Sequence, residues 1–101
     1  MNATVIDRFE IKGRAALEYG AAGVVVIFRH DHGTALPAPG DPVLLVEQDG
    51  WSYFGRAEDV RDEPAAGASG LFLRDLCLSD VPIGTQLRWG NELRIPQSAV
   101  A

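Results

Sequence analysis

No stretch of this 101-residue chain sustains a helical period. Apolar residues come instead in short runs, several of them β-branched, and each run is cut from the next by glycine, proline or aspartate. Runs of that length with turn signals between them mark antiparallel strands. The chain is therefore constrained to an all-β fold of six to eight strands. Closing them into an antiparallel β-barrel, fully or nearly, removes the exposed edges that invite aggregation.

The runs follow one another in a definite order. Phe9-Glu10-Ile11-Lys12 alternates apolar and charged residues, the pattern of a strand with one buried face. Gly13 marks a bend, after which Arg14 to Tyr19 is expected to continue the strand. Gly23-Val24-Val25-Val26-Ile27-Phe28 is apolar throughout and reads as a buried strand. Pro37, Pro39 and Pro42 then delete ladder donors and hold an extended connector. Val43 to Gln48, Asp49-Gly50 and Trp51 to Ala57 form the clearest hairpin, because Asp-Gly readily supplies the positive φ angles of a type I′ turn. Glu58 to Pro64 reads as a charged connection and Ala65 to Gly70 as a flexible loop. Leu71 to Leu78 is the next strand, kinked at Arg74-Asp75. Thr85 to Trp89 follows, and Glu92 to Ile95 adds a short closing strand. Residues 1–95 thus read as one domain, with 96–101 a flexible tail.

Composition narrows the function classes. Hydrophobic residues at 47% and charged residues at 23% are ordinary globular usage, so a folded core is expected. Nine basic against fourteen acidic residues leave a net charge of −5, which repels polyphosphates and argues against general nucleic-acid binding. Cys77 is the only cysteine, so an intrachain disulfide is impossible and a reducing cytoplasmic setting fits. No run approaches the roughly 20 apolar residues that cross a bilayer, so neither a membrane nor a secretory route is expected.

The ordered segments resemble a known family. Phe9 to Arg14, then Gly40-Asp41-Pro42-Val43, then Ala66-Gly67 with Gly70-Leu71-Phe72-Leu73-Arg74, then Asp80-Val81-Pro82-Ile83-Gly84 are similar in order to the β-barrel that follows the GTPase domain in translation factors of the elongation factor Tu type. The resemblance implies a translation-factor-type barrel in which Val24 to Phe28 and the His-Asp-His tip form an added or extended hairpin. In those factors the barrel helps hold the aminoacyl end of transfer RNA through a polar residue in the Ala-Gly loop, where Ala68 and Ser69 stand here. No Gly-x-x-x-x-Gly-Lys-[Ser/Thr] loop is present to cradle phosphates, so nucleotide hydrolysis is not expected.

Several residues suggest sites. Arg14, Arg56 and Arg74 each follow or interrupt a strand run and can converge at one rim to recognise a carboxylate or phosphate; the competing reading pairs each with a neighbouring acid. Trp51 and Tyr53 share one strand face and Phe54 takes the other, so either Phe54 is core and the first two form an exposed aromatic pair, or the reverse. His30 and His32 flank Asp31 on one face, but a tight metal site needs further ligands. That segment reads as a solvated loop tip, and neither a metal nor a cofactor is expected. Cys77 sits between Leu76 and Leu78 and reads as buried. No ordered catalytic constellation emerges, so the expectation is a non-enzymatic, stand-alone binding module for a protein or ribonucleoprotein partner. The alternative is a self-associating structural subunit, a homo-oligomer, and a lesser one is metal or small-molecule binding at His30 and His32.

Overall fold

The structure is a computed structural model that describes residues 2–29, 35–63 and 67–90. Among them six strands close into one antiparallel barrel: β1 (Asn2–Ile11), β2 (Gly23–Arg29), β3 (Pro42–Val46), β4 (Ser52–Glu63), β5 (Ala68–Arg74) and β6 (Gln86–Arg88). Around the wall they run β1-β2-β5-β4-β3-β6. A hairpin turns at Asp49-Gly50, with Leu45 opposite Tyr53 and Val46 opposite Ser52, but its turn is not the expected type I′: Gly50 takes a positive φ of 92°, Asp49 does not, and the Gly50 N–H donates to the Glu47 carbonyl. His30, His32, the strand expected at Glu92 to Ile95 and the tail 96–101 lie outside the described residues.

Strand alternation sends every second side chain inward. Val24, Val26 and Phe28 of β2 meet Leu71 and Leu73 of β5, Val43 and Leu45 of β3 and Leu87 of β6, all fully buried. Burying each such side chain contributes about 1.5–3 kcal/mol, so the inner face supplies most of the driving force. Trp89 extends the core beyond β6: its ring lies 5.8 Å from Phe28 and its indole N–H donates to the Ala35 carbonyl at 2.8 Å. That bond ties the connector between β2 and β3 to the barrel.

A bulge in β1 overturns the expected facing of its apolar residues. Val5 pairs with Phe28 and Asp7 with Ile27, so Ile6 is the extra residue and the alternation reverses after it. Arg8 and Glu10 consequently stand opposite the inward Val26 and Val24, while Phe9 and Ile11 stand opposite the outward Val25 and Gly23. The apolar set of this strand faces out. Glu10 turns its carboxylate toward the short 3-10 turn Leu78–Asp80, accepting from the Leu78 N–H at 3.3 Å, and pairs with Lys12 at 3.3 Å. Arg8 Nε is buried with no hydrogen-bond partner.

Four other expectations are corrected. Arg14–Tyr19 is a helix, α1, rather than a continued strand. Its residues Arg, Ala, Ala, Leu and Glu are strong helix formers, and Gly13 at φ +60° and Gly20 at φ +84° bracket it where other residues would be strained. Glu58 to Glu63 is strand, not connector, because a second bulge between Ala57 and Asp59 turns Asp59 and Arg61 outward and packs Val60 against the core. β2 is no appendage: it pairs with β1 on one side and β5 on the other. Cys77 is exposed, since β5 ends at Arg74, Asp75 takes a positive φ of 63°, and the chain turns before the thiol.

Candidate functional site

β2 is apolar on both faces, and only its inner face is covered by the core. On its outer face Val25 and Ile27 lie between Phe9 and Asp7 of β1 and Phe72 and Gly70 of β5. α1 covers one end of this surface: Tyr19 packs on Phe72 with ring centroids 4.9 Å apart, which buries Phe72 outside the main core. The remainder is an open groove of about 510 Å³ whose walls include Phe9, Ile11, Val25, Ile27 and Phe72.

Two glycines lie where β2 meets β5, and one of them, Gly70, lines the groove. Gly70 stands between Ile27 and Arg61 on the neighbouring strands, and a Cβ there would lie 3.4 Å from Ile27 Cδ1, so the missing side chain deepens the floor without being demanded by crowding. Gly23 is different. A Cβ at Gly23 would lie 2.2 Å from the Leu73 carbonyl oxygen and 2.9 Å from Phe72 Cε1, so only glycine lets β2 approach β5 at that level.

The groove has a charged border. Asp7, Asp59 and Arg61 line it, and a second depression of about 360 Å³ beside Tyr19 and Phe72 adds Glu18 and Glu58. Arg61 pairs with Asp59 at 3.3 Å, and Arg74, just outside, pairs with Glu58 at 3.1 Å. Among the described residues, Asp7 and Glu18 have no basic partner. Negative charge is left over at the border of an apolar surface.

The residues singled out from sequence are placed as follows. Arg74 stands opposite Gly23, whose other partner is Ile11, and the Leu73 to Ala57 pair sets Arg56 close to the level of Arg74 on the adjacent strand. Arg14 opens α1, just beyond the end of β1. All three are exposed, and Arg74 is engaged by Glu58. Trp51 and Tyr53 do not form one patch. Trp51 is 71% exposed at the hairpin end, its N–H held by Asp49 Oδ1 at 2.9 Å, whereas Tyr53 packs against the core and its hydroxyl donates to the Asp80 carbonyl. Phe54 is exposed on the other face, so the arrangement that buries Tyr53 and turns Phe54 outward holds within β4, while Trp51 stands outside the strand and is not buried with Tyr53.

Tyr53 carries the shifted ionisation of the described residues. Burial of its ring, then the Asp80 and Glu47 carboxylates, push its pKa from the ordinary 10.0 up to about 12. The group is a structural latch between the hairpin and the turn at Asp80. Ser69, at the position compared with the Ala-Gly loop, is buried and donates to Asp62 Oδ1 at 2.9 Å.

Sequence reading passed over Asp7, Val25, Ile27, Gly70 and Phe72. The signal was the unbroken apolar run from Val24 to Phe28, since a strand apolar on both faces needs two covers. Among the described residues no three His, Cys, Asp or Glu side chains gather as metal ligands, and no helix is long and apolar enough to cross a membrane. Comparison with family models, curated proteins and solved structures returned no match.

Proposed function

We propose that this barrel is a non-enzymatic binding module whose outer groove, between β1, β2 and β5, receives part of a protein partner. One observation carries the reading: Phe9, Ile11, Val25 and Ile27 form continuous apolar surface around a groove of about 510 Å³. Isolated exposed apolar residues are ordinary on protein surfaces, but a contiguous apolar concavity with a polar border is the anatomy of an interface. The acidic border favours a protein over a ribonucleoprotein, because RNA phosphates would be repelled there.

The ordered landmarks resembling the translation-factor barrel support the same class of function, a barrel that works by holding another molecule. Self-association through the groove is disfavoured by charge, since it would bring Asp7 and Glu18 of two copies, each with net charge −5, toward one another.

The test uses three baits in native extract: the unmodified chain, Phe9→Ser and Phe54→Ser. A partner retained by the chain and by Phe54→Ser but lost from Phe9→Ser is the expected result. Equal recovery on all three baits, or no specific recovery, contradicts the proposal. Light scattering over a dilution series is expected to show a monomer; a dimer that Phe9→Ser dissociates would replace the partner with a second copy.

A further inference from the structure

Resting on the groove as the binding surface, we infer that the partner segment is basic as well as apolar: an apolar core bracketed by lysine or arginine on both sides. The inference comes from where the unpaired acids stand. Asp7 borders the groove beside Ile27, and Glu18 borders the adjoining depression beside Tyr19 and Phe72. Phe72 is cross-strand to Val25, and Val25 to Phe9. The two carboxylates therefore mark opposite ends of the apolar strip.

Their neighbours sharpen the distinction. Asp59 and Glu58 are already engaged by Arg61 and Arg74, so they add less to the attraction than their number suggests. Among the described residues Asp7 accepts only from the Arg8 backbone N–H at 2.8 Å, and Glu18 lies exposed on α1. Both remain free to meet a cation that arrives with a ligand. A neutral apolar segment would cover the strip but leave these charges partly desolvated at its edge, and an acidic segment would be repelled by them.

A segment lying along the strip seats two or more apolar side chains on Val25, Ile27 and Phe9 between its basic residues. Long lysine or arginine stems reach the end carboxylates while packing their methylenes on the apolar edge.

A random twelve-residue peptide library displayed on phage and selected on the immobilised chain tests this directly. The expected outcome is enrichment of peptides with apolar residues between two basic ones. Binding of a representative synthetic peptide, followed by fluorescence anisotropy, should weaken by about tenfold or more in Phe9→Ser. It should weaken roughly three- to tenfold in the double variant Asp7→Asn with Glu18→Gln. It should also fall as salt rises from about 0.05 to 0.5 M, which shortens the screening length below the width of the site. All three substitutions are at exposed positions, and unchanged thermal unfolding confirms that the barrel is intact. Peptides that lose affinity in Phe9→Ser yet carry no basic residues, or ignore the double variant, overturn the inference and leave the groove standing. Peptides indifferent to Phe9→Ser, or no enrichment at all, overturn both.

Discussion

Phe9 and Phe54 are almost equally exposed, at 51% and 53%, yet their surroundings differ. Phe9 stands beside Val25 and Ile11 on the wall of a groove. Phe54 faces Leu44 across the hairpin and is flanked along its own face by Ser52 and Arg56, with Arg88 next across Leu44. Exposure alone therefore does not single out a candidate surface; apolar continuity and concavity do. The difference arises from bulges. In β1 the extra residue Ile6 reverses the alternation, which places Phe9 and Ile11 beside the outer face of β2. The hairpin of β3 and β4 keeps its register from Pro42 to Val46, and its outer face stays mixed.

The largest effect should separate the two glycines at which β2 and β5 meet. Gly23→Ala is expected to cost about 3 kcal/mol, because its Cβ meets fixed backbone, whereas Gly70→Ala should cost less than about 1 kcal/mol. Urea unfolding of both variants measures this. Equal costs would mean that β2 and β5 are not as closely apposed as described.

Next in size is the contrast between the phenylalanines themselves. Phe9→Ser should weaken partner binding by about tenfold or more and Phe54→Ser by less than about twofold, with stability changed by no more than about 0.5 kcal/mol in either. Titration against the partner recovered from extract decides it, and a reversed order would move the interface to the hairpin.

Tyr53→Phe should cost about 1 kcal/mol by removing the hydrogen bond to the Asp80 carbonyl. The same residue sets a pH dependence. Its folded pKa of about 12 exceeds the ordinary 10.0, so its contribution is complete below pH 10 and is lost as pH rises through about 12. Denaturant midpoints across that window should fall for the unmodified chain, with a shallower fall for Tyr53→Phe. Identical slopes would contradict the latch.

The smallest effect concerns the inward face created by the bulge. Arg8 carries a buried, unpartnered Nε, so Arg8→Met should be neutral or stabilise by up to about 1 kcal/mol. A clear drop in melting temperature would show that the guanidinium supports the barrel end instead.

How legible this was depends on where the determinants lie. That a hairpin turns at Asp49-Gly50 and that β2 and β5 carry inward apolar runs follow from the glycine and the apolar pattern, so both were readable; the type I′ geometry was not, since Asp49 does not take a positive φ. The helix at Arg14–Tyr19 was missed: its helix formers stand between two glycines, but six residues are too few to display a period. The bulge at Ile6 was not readable. It depends on how β1 is matched against β2, a long-range register that alternation within Phe9 to Lys12 does not contain. Once that register is known, an apparently inward Phe9 becomes the wall of the candidate site, and Arg8 and Glu10 become its inward counterparts.

The central claim, that recognition occurs on the outer face of β1, β2 and β5, is tested most directly by amide chemical-shift mapping of the labelled chain as its partner or a selected peptide is added. The account predicts perturbations concentrated at Phe9, Ile11, Val25, Ile27, Gly70 and Phe72, with β3 and β6 unmoved. Perturbations gathered around Trp51, Phe54 and Ile83 while the groove stays silent would contradict it.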